Sequence, residues 1–123
     1  MNKKTNRSTR HNAVSRPWGS YTVLNQGKGF KVKLVEVSSG KRLSLQRHKN
    51  RSEHWVVVQG EAKITNGRDV LFLEENQSTY IPIKGIHRLE NATKRPLKII
   101  EVQCGKELLE SDIQRLDDDH GRV

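Results

Sequence analysis

The stretch GKRLSLQRHKNRSEHWVVVQG, residues 40 to 60, sets Gln46, His48 and Glu53 between two glycines and among strand-forming residues. Side chains two apart on a strand share a face, so Gln46 and His48 project together. The short loop KNRS then returns the chain so that Glu53 meets them from the neighbouring strand. A fourth group follows in YIPIKGIH, residues 80 to 87, where a turn after Pro82 delivers His87 to another strand. One amide oxygen, two imidazoles and one carboxylate form a mixed nitrogen and oxygen set. Such a set suits zinc foremost, with Fe, Mn, Co or Ni as alternatives, and is too nitrogen-rich for Mg or Ca. One divalent transition metal per chain is the expectation; a purely structural polar network is the competing reading.

The elements that must position these groups are short and β-rich. Strand-like runs lie at 20–24, 30–37, 42–48, 53–59, 61–65, 70–73, 78–82, 87–91 and 97–103, separated by Gly, Asn, Ser and Pro turn signals. This spacing argues an all-β antiparallel sandwich or barrel. ELLESDIQRLDDD after Gly105 is the one helical candidate, giving a short C-terminal helix. Alternation puts His54 on the opposite side of its strand from Glu53, and Trp55 with its following valines reads as core.

A chain of 123 residues is about one domain. Residues 1–15 read as a basic flexible arm and 16–123 as a single domain entered through Arg16-Pro17-Trp18-Gly19. Of the net charge of +9, Lys3, Lys4, Arg7, Arg10 and Arg16 contribute five positive charges with no acidic residue before position 17, leaving +4 for the rest. The few aromatics do not interleave with the Lys/Arg runs, which disfavours a nucleic-acid partner. No apolar run approaches the ~20 residues needed to cross a bilayer, so no membrane partner and a cytoplasmic location are expected. The single cysteine, Cys104, excludes an internal disulfide and reads as a small strand-end residue. His11 falls in the arm.

Residues 40 to 60 fit the first cupin motif, G-x5-H-x-H-x4-E-x6-G, through Gly40, Gln46, His48, Glu53 and Gly60, with Gln46 in place of the first histidine. Pro82, His87 and Asn91 fit the second motif, with Lys84 where its glycine is expected and Gly85 following. Together with RPWG (16–19), ENQSTYIPIKGIHRLEN (75–91), PLKIIEVQCG (96–105) and HGR (120–122), the chain resembles the type II phosphomannose isomerase family from about residue 16 to 122. The resemblance implies a cupin-type double-sheet jelly-roll barrel. That family often carries this domain behind a larger guanylyltransferase domain, whose glycine-rich nucleotide loop has no counterpart in these residues. After the last strand the family pattern GxYLGEDDIxR is only partly kept, without its Tyr, its Gly and its first Asp.

The chemistry so implied is a metal-dependent aldose–ketose isomerisation, mannose 6-phosphate to fructose 6-phosphate, through a cis-enediol. Lys33, Arg115 and Arg122 are the candidate cations for a phosphorylated sugar, with Lys33 also a candidate catalytic group; its face on the strand is open between site and solvent. Glu101 is the candidate base, against an exposed or ion-paired strand glutamate. His120 either lines the pocket or caps the last turn. Two other function classes stand beside the isomerase: a non-catalytic cupin binding a sugar or nucleotide sugar, and an Fe(II) cupin oxygenase. Cupin barrels commonly pair through edge strands, so a homodimer is expected.

Overall fold

The computed structural model describes residues 11 to 123. Eleven strands form among them: β1 Ala13–Arg16, β2 Gly19–Gly27, β3 Phe30–Val37, β4 Leu45–Arg47, β5 Ser52–Gln59 and β6 Ala62–Asn66 come first. β7 Asp69–Leu73, β8 Ser78–Ile81, β9 His87–Glu90, β10 Leu97–Cys104 and β11 Gln114–Asp117 complete the set. They make a six-stranded sheet of order β1-β2-β3-β10-β5-β8 facing a five-stranded sheet of order β11-β4-β9-β6-β7. Every strand pairing is antiparallel.

The period of two that makes strands of these sequences also grades the interior. Buried side chains alternate as Lys33, Val35, Val37 on β3, as Glu53, Trp55, Val57 on β5, and as Leu97, Ile99, Glu101, Gln103 on β10. Register aligns Val35 with Ile99 and Ile99 with Val57 across the three strands. Farther along, Lys33 lies opposite Glu101, Glu101 opposite Trp55, and Gln103 opposite Glu53. One end of the barrel is therefore apolar and the other carries charge. The apolar end, with Ile64, Ile81 and Leu89 from the other strands, is the core; each such side chain fully buried is worth about 1.5–3 kcal/mol.

Asn91, fully buried, ties the sheets together. Its Nδ2 donates to the carbonyls of Val37 at 2.9 Å and Arg95 at 2.7 Å, while its Oδ1 accepts from the Thr93 amide and hydroxyl. Cys104 ends β10 in an exposed position.

Two expectations meet a different structure. No helix forms among the described residues. ELLESDIQRLDDD instead turns at Glu110 and Ser111 and leads into β11, paired with β4. A helix would consume the carbonyls of Leu108, Leu109 and Asp112 internally. Here they accept from Lys31, Arg51 and His48. Three consecutive aspartates at 117–119 also oppose a helix dipole at its C-terminal end. At the other terminus, β1 lies partly inside the segment expected to be a flexible arm: Ala13, Val14 and Ser15 pair with Thr22, Tyr21 and Ser20. Residues 1–10 of that arm lie outside the described residues. Among the described residues, no helix is long and apolar enough to cross a membrane.

Candidate metal centre and adjoining cavity

His48, Glu53 and His87 each place one ligand-competent atom within 4.8 Å of the others, and all three are buried. They converge from both sheets. Gln46 of β4 stands in register with His87 of β9, both in the five-stranded sheet, and His48 lies one residue past β4. Glu53 enters from β5 of the opposing sheet rather than from a strand paired with β4.

The surroundings leave each imidazole one usable lone pair. A carbonyl can only accept, so His48 Nδ1–H donates to Asp112 O at 2.6 Å and His87 Nδ1–H donates to Gly85 O at 2.8 Å. Burial, chiefly, lowers the pKa of both; His48 falls to about 4, with Arg51 adding to the effect and Glu53 opposing it. Both rings are therefore neutral at pH 7, with Nε2 as acceptor. His87 Nε2 is buried and has no partner among the described residues. An orphaned acceptor facing a carboxylate and a second imidazole fits a divalent metal, and backbone carbonyls on the remote nitrogens are the usual support for histidine ligands.

Glu53 is oriented from two sides. Oε1 accepts from Trp55 Nε1 at 2.8 Å and Oε2 from Arg51 Nε at 2.7 Å, with His48 Nε2 3.3 Å from Oε2. Burial raises its pKa, but His87, Arg51 and His48 more than offset this and hold it below the ordinary value. Gln46 lies beside the cluster with Nε2 3.4 Å from His48 Nε2, while its Oε1 accepts from Ser44 Oγ at 2.7 Å. Its oxygen faces the metal-competent atoms only if the amide turns over.

A cavity of about 130 Å³ opens beside this cluster, and Gln46 and His48 form part of its wall. Glu101, Lys33, Arg115 and Arg122 also line it. Lys33 is thus an inward residue: its Nζ lies 2.6 Å from Glu110 Oε2 and 4.1 Å from the Tyr21 ring centroid. Glu101 is buried, accepts from Gln103 Nε2 at 2.6 Å, and has its pKa lifted to about 7, chiefly by burial and then by Glu53, against Lys33. Arg122 is held by Asp118 at 2.8 Å. Arg115 Nε is buried without a partner among the described residues, and burial, then Arg122 and Arg16, lower its pKa.

Arg16, Arg51, Tyr21 and Glu110 also line the cavity, and none of them stands out in the sequence as a site residue. Arg51 lies two residues before Glu53, the spacing that puts both on one face, but inside a stretch that reads as loop. Glu110 falls within the segment that reads as helix, and Arg16 within the entry to the domain. His54 points outward and packs against Tyr80, the ring centroids 4.7 Å apart and the planes tilted by 50°. His120 is not among the lining residues, and His11 is exposed.

Solved structures share the fold at low identity. KdgF from Halomonas sp. superposes with a TM-score of 0.73 at 13% identity over 83% of this chain and 93% of its own. The cupin domain of Schizosaccharomyces pombe Cnp3 gives 0.67 at 14%, over 70% of this chain and 60% of that one. The barrel is a cupin. Sequence relatives are nearer. The xanthan biosynthesis protein XanB of Xanthomonas campestris pv. campestris is 52% identical over 94% of this chain and 25% of its own length. The alginate biosynthesis protein AlgA of Pseudomonas aeruginosa is 54% identical over 92% of the chain and 24% of its own. The chain spans about a quarter of the length of these relatives. The sequence pattern described as mannose-6-phosphate isomerase C-terminal matches residues 3–118, and the chain belongs to that family.

Proposed function

We propose that this domain interconverts mannose 6-phosphate and fructose 6-phosphate, using one divalent transition metal, zinc first among the candidates. The observation that supports it most is a single cavity: His48 of the metal-competent cluster and Gln46 on its wall, a buried carboxyl and lysine beside them, and the arginines Arg16, Arg115 and Arg122.

His48, Glu53 and His87 would hold the ion, with Gln46 adjacent. Bound there, it would act as a Lewis acid on the sugar's C1 and C2 oxygens. Glu101 takes the proton from C2 of the open-chain aldose and returns it to C1, while the hydroxyl proton passes from O2 to O1. A carboxyl lifted to about 7 is a stronger base than an ordinary glutamate and is still ionised in part at neutral pH. Lys33, exchanging Glu110 for the sugar, supplies a cation beside the reacting oxygens. Arg115 and Arg122, joined by Arg16, receive the phosphate; partnerless Arg115 Nε offers a donor at no cost in existing bonds. The xanthan and alginate roles in the relatives' names support a place in the supply of activated mannose for polysaccharide.

The test is metal reconstitution followed by assay with mannose 6-phosphate in deuterium oxide. The expected outcome is fructose 6-phosphate, carrying deuterium at C1 in the fraction of turnovers in which the proton on Glu101 exchanges with solvent before it is returned. His87→Ala should lose most of its metal and its turnover together, whereas Arg115→Ala should keep its metal and bind substrate roughly ten- to a hundredfold more weakly. A metal-replete wild type that binds sugar phosphates without turning over any of them would replace this reading with a binding module.

A further inference from the structure

The Nε2 atom of a neutral imidazole has one lone pair, and in His48 that pair already has a donor. Arg51 Nη2 lies 3.2 Å from it. The same guanidinium donates Nε–H to Glu53 Oε2 at 2.7 Å and Nη1–H to Leu109 O at 3.3 Å. Arg51 is itself buried, so it is fixed across two of the three groups that could hold a metal. A hydrogen bond and a coordinate bond to His48 Nε2 need the same electron pair.

We propose that Arg51 and the metal compete for His48 Nε2, so that Arg51 sets the metal affinity of the centre and gives up this contact when metal binds. The proposal rests on the metal-centre reading above. Arg51 lines the cavity together with Glu110, so the displaced guanidinium has open space and a carboxylate to turn towards without disturbing the barrel. With the guanidinium in place, His48 and Glu53 are satisfied without an ion.

The experiment measures zinc affinity by competition with a chromogenic chelator, and melting temperature with and without zinc, for wild type, Arg51→Met and Arg51→Lys. Removing a charge-assisted contact that zinc must break should tighten zinc binding by about ten- to a hundredfold in Arg51→Met. Without zinc that variant should melt lower than wild type, because Glu53 loses its counter-cation, and its gain on zinc binding should be larger. Arg51→Lys should lie between them, since a point charge cannot bridge both atoms as a guanidinium does. Should Arg51→Met fail to fold, the lysine variant carries the test. Zinc affinity in the folded variants equal to or below that of wild type overturns the competition and makes Arg51 a support for Glu53. Absence of zinc from all three proteins overturns the metal centre, and this proposal with it.

Discussion

Glu101 and His48 are titrating side chains buried at the same end of the barrel, and they push pH-dependence in opposite directions. A carboxyl raised to about 7 keeps its proton in the folded protein where the unfolded chain has lost it. Its contribution to stability is therefore present below the ordinary carboxylate pKa of 4.5 and is lost as pH rises through about 7. His48, lowered to about 4, does the reverse: between pH 4 and 6.5 the unfolded chain binds the extra proton, so stability rises with pH. The Glu101→Gln variant keeps His48 and a partner for Gln103 but cannot ionise. Its stability relative to wild type should therefore climb between pH 4.5 and 7 and level off above. The climb is at most about 1.4 kcal/mol for each pH unit crossed, a few kcal/mol in all. Urea unfolding in the presence of a chelator, repeated across that range, measures the difference; a gap independent of pH removes Glu101 from the perturbed groups. Lys33 and Glu101 had the right residue types in sequence, yet their face was undecidable. Only the register, Val35 with Ile99 and Lys33 with Glu101, turns both inward.

Turns decide where the site residues arrive, and two of them can be tested by exchanging glycine. Lys84 occupies the position where the second cupin motif has glycine, and it adopts φ +65°. Its amide donates to His48 O at 2.8 Å, and the Gly85 amide closes the turn onto Pro82 O at 3.0 Å. The turn that delivers His87 is thus built despite the departure, with a left-handed lysine at its centre. Such a conformation costs a non-glycine residue about 1–2 kcal/mol, partly offset by glycine's greater freedom in the unfolded chain. Lys84→Gly should stabilise the protein by on the order of 1 kcal/mol. Gly60 is the converse: at φ +86°, an added Cβ would lie 2.5 Å from Pro96 O. Gly60→Ala should cost more than Gly40→Ala, because Gly40 shares a positive φ but has open space around it. Thermal melts of the three variants check the order. At this scale most strands were legible, since β3 and β10 alternate over eight residues each. The C-terminal segment was not, because its role is to lend backbone carbonyls to buried cations and to His48, and composition carries no sign of that.

Across the whole molecule, charge is distributed unequally between the centre and the cavity. The His48, Glu53, His87 cluster is buried, while Arg16 is exposed and Arg115 and Arg122 are half-buried at the cavity wall. The net charge of +9 shows an excess of cations but not that three of them converge, because Arg16 and Arg115 are separated by almost the whole chain. Antiparallel pairing of β1 with β2 and of β11 with β4 brings Arg16 and Arg115 to the same cavity. Added salt should therefore separate the two binding events. Screening shortens the reach of exposed charges from about 10 Å at 0.1 M to about 3 Å at 1 M ionic strength, and acts much less on buried groups. Affinity for mannose 6-phosphate, followed by calorimetry, should weaken several-fold between those conditions while the metal content of the recovered protein stays constant. The Arg16→Ala variant should show both weaker binding and a shallower dependence on salt, since one screened cation is gone. Affinity for the sugar phosphate that does not change with salt would show that the three arginines do not receive its phosphate, and Lys33, buried against Glu110, would then be the cation to examine.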